Sequence, residues 1–181
     1  MDGIPKKGDI ALIVVDVQEK FRPAIFEFPR VIENCSKLVE AFKALKMPIL
    51  HTEQYPKGLG KTVSELDKLF KEKPLEKTEF SCFGNAVFRK RLEDLDMHEL
   101  VICGIEAHVC VLQTALDAIR LGYEVFLVED AISSRKKTDW KTAVKRAQQS
   151  GAYRASTEMV IFQLLEKAGT EEFKEIQKIV K

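Results

Sequence analysis

What this 181-residue chain lacks narrows it first. Its longest unbroken aliphatic run, Ile10 to Val15, ends at Asp16 after six residues, far short of the roughly 20 that a membrane-spanning helix needs. It lacks an excess of either charge: 29 Lys plus Arg against 28 Asp plus Glu leave a formal +1. No global field therefore draws in a phosphate backbone or an anionic membrane, and neither nucleic acid nor a membrane is an expected partner. Glycine (9) and proline (6) are too scarce for a collagen-like or low-complexity chain. The four cysteines, Cys35, Cys82, Cys103 and Cys110, include no C-x-x-C pair, which argues against a disulfide-stapled scaffold. The first residues carry no apolar core resembling a secretory signal, so the expected setting is a reducing cytoplasm.

Hydrophobic side chains make up 45% of the chain and charged ones 31%, the balance of one domain spanning residues 1–181. A chain of this length buries roughly 70% of its unfolded surface, enough for a sheet between two helical layers. Asp9-Ile-Ala-Leu-Ile-Val-Val-Asp16 is β-branched and apolar on both faces, like a central strand of a parallel sheet. From Phe28 to Leu45 the apolar residues fall three and four apart, predicting an amphipathic helix stopped by Pro48. Ile49 to His51 begin a second strand, Gln54 to Lys61 form a Gly- and Pro-marked loop, and a helix is expected from about Thr62 to Phe70. Glu76 to Phe80, Glu99 to Gly104, Tyr123 to Val128 and Tyr153 to Ser156 read as further strands, with helices between and after them. Six strands alternating with helices predict a three-layer α/β/α domain: a doubly wound, mostly parallel sheet in the order 3-2-1-4-5-6.

In such a sheet the ligand crevice lies beyond the carboxyl ends of the strands, where the order reverses. Strand one ends there at Asp16, and strand four runs into Gly104-Ile-Glu-Ala-His-Val-Cys110 at the mouth of a helix. Topology alone thus sets a carboxylate and a thiol on the two sides of one crevice. A cysteine in a helix's first turn feels unpaired N–H groups and the positive dipole end, both favouring the thiolate, so Cys110 is the candidate nucleophile. The plainer reading, a small core residue, is the one adopted for Cys35 and Cys103. Cys82 reads as an exposed loop thiol without a role.

Val14-Val-Asp16-Val-Gln-Glu-Lys-Phe21, Lys77-Thr-Glu-Phe-Ser81 and Gly104-Ile-Glu-Ala-His-Val-Cys110 together resemble the isochorismatase-like cysteine hydrolases, which include nicotinamidases. Thr52 to Gly60 and Ala131 to Arg135 are similar to the isochorismatase-domain-containing branch, and the likeness runs from about Gly8 to Ile179. It implies that fold, a homo-oligomer, and a triad of Asp16, Lys77 and Cys110; spacing alone does not choose Lys77 over Lys71 or Lys73. It also implies a cis peptide between Ile105 and Glu106, aiming the backbone N–H groups of Glu106 and Cys110 at an oxyanion. The expected reaction is hydrolysis of a small amide or related carbonyl compound through a Cys110 thioester. The alternative is a non-catalytic interaction protein on the same fold.

The chain departs from the nicotinamidases where they carry metal ligands: Gln54-Tyr55-Pro56 offers neither the Asp nor the His, so no metal and no cofactor is expected. Gln54 and Tyr55 are expected at the pocket rim, touching a small-molecule substrate. Phe21, Phe80 and Phe83 follow the triad segments and stand as candidate pocket walls, with plain core packing as their alternative. Gly58-Leu-Gly60-Lys61-Thr62 ends like a P-loop, but Tyr55, followed by Pro56, occupies the place of its first glycine, so it cannot cradle phosphate in that way.

Overall fold

The structure, a computed structural model, describes residues 3–181, so the first two residues of the expected 1–181 span lie outside the described residues. In chain order its elements are β1 (Ile10–Val15), α1 (Phe28–Ala44), β2 (Ile49–Gln54), the one-turn α2 (Pro56–Leu59) and α3 (Ser64–Asp67), and β3 (Leu75–Lys77). There follow α4 (Ala86–Leu95), β4 (Glu99–Ile105), a π turn (Ala107–Val111) leading into α5 (Leu112–Arg120), and β5 (Glu124–Ser133). The chain closes with α6 (Lys137–Gln149), β6 (Tyr153–Ala155), α7 (Thr157–Leu165) and α8 (Glu171–Val180). The six strands form one sheet in the order β3-β2-β1-β4-β5-β6, every neighbouring pair being parallel.

Every residue of β1 and β4 is buried, which is why both read as apolar on two faces: helices cover each side. On one layer α1, α7 and α8 pack together; on the other α5 packs against α6. Helix α1 buries Phe28, Val31, Ile32, Cys35, Leu38 and Phe42, the stripe that the spacing predicts. It ends where Lys46 turns left-handed (φ 57°) and the Met47 N–H reaches back to the Phe42 carbonyl at 2.8 Å. β1 and β4 meet in register with Val15 opposite Gly104. A Cβ on Gly104 (φ +109°) would lie 2.1 Å from the Val15 carbonyl oxygen, so only glycine lets the strands approach there.

Three elements differ from the sequence expectation. The helix expected over Thr62–Phe70 shrinks to the single turn α3, because its ends are held by distant partners. The buried Glu53 carboxylate takes both the backbone N–H (2.6 Å) and the hydroxyl (2.7 Å) of Thr62, and the Phe70 ring stacks on His51. β3 stops at Lys77 instead of Phe80. β5 continues to Ser133, because Ile132 and Ser133 pair with Gly104 and Ile105 across a register shift. Among the described residues no helix is long and apolar enough to cross a membrane.

Candidate active site

Asp16 follows β1 with left-handed backbone (φ 51°), a conformation that Asp tolerates better than most residues. The turn holds its N–H 3.2 Å from the Thr52 carbonyl. Its carboxylate is buried and doubly engaged: Oδ1 accepts from Thr52 Oγ1 at 2.7 Å, and Oδ2 from Lys77 Nζ at 2.7 Å. Period-two alternation explains the Thr52 contact, since Thr52 and Gln54 share one face of β2 at its carboxyl end, beside β1.

Lys77 carries three N–H donors and spends all of them inside the protein. Besides Asp16 it donates to Gln54 Oε1 at 2.7 Å and to the carbonyls of Glu79 and Phe80 at 3.2 and 3.3 Å. Burial opposes its charge, but the adjacent Asp16 carboxylate outweighs burial, with Cys82 and Cys110 adding to it, and the ammonium is held above its ordinary range. Lys77 is therefore a fixed positive charge with no proton to lend.

Cys110 lies in the π turn ahead of α5 and is 6% exposed. Burial pushes its thiol far up, the Asp16 charge and hydrogen-bonding oxygen push the same way, and Lys77 only partly offsets them. The expected resting thiolate is thus corrected. Lys77 is committed to Asp16, so the resting group is a neutral thiol beside a carboxylate able to take its proton.

Gln54 is also reassigned. Its oxygen faces Lys77, its Nε2 donates to the Thr78 carbonyl at 2.8 Å, and the residue is buried, so it positions Lys77 instead of meeting substrate. Gln18 holds it in turn, accepting from the Gln54 N–H at 2.8 Å and donating to the Gln54 and Gly60 carbonyls. Phe83 packs on Phe88 and Tyr123, with centroids 5.4 and 5.7 Å away, and borders a separate cavity that none of Asp16, Lys77 and Cys110 lines. Cys82, expected exposed, is fully buried: its N–H donates to Thr114 Oγ1 at 3.0 Å, and burial lifts its thiol to about 11.

Tyr55 and Phe80 are exposed and Phe21 is half-buried. Tyr55 lines a groove of about 330 Å³ with Lys77, Thr78 and Glu79. The Ile105–Glu106 peptide is cis. The Glu106 carboxylate accepts from the Arg135 N–H and Nε at 3.1 and 3.0 Å, tying the turn before Cys110 to the end of β5. His108 Nδ1 lies 2.9 Å from Ser134 Oγ. Sequence reading missed Thr52 and the burial of Cys82; strand alternation continued to Gln54 would have found the first.

A buried acid, amine and thiol gathered at the switch point of a parallel sheet define the class, a three-layer α/β protein. Comparison then fixes the family. The model of the Isochorismatase domain matches residues 10–159, and the chain belongs to that family of hydrolases. It is similar to isochorismatase domain-containing protein 2 of Danio rerio, 44% identical over 174 residues, covering 96% of this chain and 87% of that one. Among solved structures it resembles the MAR1 ribonuclease of Caenorhabditis elegans (38% identity, TM-score 0.92, covering 98% of this chain and 92% of that one). It also resembles an octameric hydrolase of unknown specificity from Escherichia coli (27% identity, TM-score 0.86, covering 91% and 83%).

Proposed function

We propose that the chain hydrolyses a small amide or related carbonyl compound through a thioester on Cys110. The observation that carries this reading is the buried Cys110 placed within the influence of Asp16, a buried carboxylate that Lys77 and Thr52 pin. When a carbonyl carbon reaches Sγ, the S–H proton passes to Asp16 as the C–S bond forms, so charge develops on the carbonyl oxygen and not on a resting thiolate. The backbone N–H groups of Glu106 and Cys110 are the proposed donors to that oxygen. Collapse breaks the C–N bond, and Asp16 returns the proton to the departing amine. Water then gives a proton to Asp16 as it attacks the thioester, and the acid leaves as the proton goes back to sulfur. Lys77 keeps its proton throughout and holds Asp16 in place.

Phe21, Tyr55 and Phe80 are the proposed substrate-facing side chains. With Asp16, Lys77 and Cys110 each at most 6% exposed, the site suits a small molecule better than a polynucleotide. The chain is read as one domain that assembles with copies of itself, as the Escherichia coli relative does. Its four free thiols suit a reducing cytoplasm.

The test is a panel of small amides, with a synthetic RNA included, followed by acid quenching and intact-mass analysis. We expect turnover of an amide with an acyl adduct on Cys110, and a fall of about a thousandfold or more in Cys110→Ala. Full turnover by Cys110→Ala, or cleavage of the RNA alone, would overturn the proposal.

A further inference from the structure

On the face of β2 opposite Thr52 and Gln54 stands a second buried polar group, His51, which the proposed chemistry does not use. It is 5% exposed, its ring stacks on Phe70 (centroids 3.7 Å apart, planes 6° apart), and its buried Nε2 has no hydrogen-bond partner. Buried polar atoms are rarely left in this state, and each such case asks for an explanation. His51 lines a cavity of about 290 Å³ between the end of α1 and residues 69–72. The walls are apolar, from Met47, Ile49 and Phe70, while Lys43, Lys46 and Lys71 stand at its margin. The one carboxylate there, Glu72, is paired with Arg91. Lys43 Nζ donates to the Leu69 carbonyl at 2.8 Å, and Lys46 and Lys71 hold no ion pair among the described residues. The cavity therefore offers an apolar slot, a cationic rim and, in its lining, the His51 imidazole whose Nε2 is unspent, at the small end of the range of ligand sites.

We infer that this cavity is a second small-molecule site, binding a single-ring aromatic acid with its carboxylate at the Lys46 and Lys71 ammonium groups and a hydroxyl on His51. This does not depend on the hydrolase reading. His51 precedes Thr52, the residue that donates to Asp16, so an occupant would bear on the catalytic cluster through one peptide unit.

The chain has three histidines, which makes imidazole NMR of the intact protein a direct readout. Titrated with 4-hydroxybenzoate, the His51 ring signals should move and saturate while those of His98 and His108 stay fixed. Benzoate, without the hydroxyl, should bind about tenfold more weakly, and the surface double variant Lys46→Ala/Lys71→Ala should weaken 4-hydroxybenzoate by a similar factor. The idea is wrong if the His51 signals do not move, if they move equally in the lysine double variant, or if His108 responds instead, placing the acid in the catalytic crevice.

Discussion

Lys77 and His51 sit on neighbouring strands, at 3% and 5% exposure, yet burial moves them in opposite directions. Lys77 is held above its ordinary range because a carboxylate, an amide oxygen and two carbonyls surround its ammonium. His51 has no such partner; burial drives its pKa from 6.5 down to about 4, and the more distant Asp67 does not reverse this. A buried base keeps its charge where the fold supplies acceptors and sheds it where the fold does not. The crevice beside β1 is built to hold charge, whereas the opposite face of β2 keeps the His51 imidazole neutral.

The largest break in this contrast comes from Lys77→Met, which removes the counter-charge and leaves Asp16 buried and unpaired. We expect a loss of about 3–5 kcal/mol in urea unfolding together with loss of activity. A variant as stable as the parent would mean that Asp16 does not depend on Lys77.

A smaller, pH-dependent effect belongs to His51. The unfolded chain binds its proton near 6.5, whereas the folded one refuses it until about 4. Stability is therefore fully present above 6.5 and falls as pH drops through that window, by at most about 3 kcal/mol. His51→Phe, which cannot take up a proton, should flatten that part of the curve. Parallel parent and variant curves between pH 7 and 4 in denaturant titrations would refute the assignment.

Much of this was legible in the sequence, for physical reasons. The central strands follow from apolar runs covered on two faces, their order is the commonest for a doubly wound sheet, and the crevice between Asp16 and the Cys110 turn follows from that order. Lys77 needed resemblance to a family, because its role lies in four acceptors brought from β1, β2 and the turn after β3. The short α3 and the buried Cys82 escaped local reading because Glu53 and Thr114, distant in sequence, decide them. Gln54 was read as facing substrate because a polar residue at a strand end does not reveal that both ends of its amide are already taken.

The central claim is that the Asp16 carboxylate keeps the resting Cys110 thiol protonated and takes that proton as a base only when sulfur attacks substrate. Asp16→Asn tests it most directly, through the rate of iodoacetamide labelling at Cys110 across pH, read by peptide mass spectrometry. Asp16 raises the Cys110 pKa and Lys77 lowers it. The variant should therefore label faster than the parent at neutral pH while turnover of the identified amide collapses. A Cys110 labelling curve that does not move to lower pH in Asp16→Asn would mean that Asp16 does not keep the proton on sulfur, and would contradict the account.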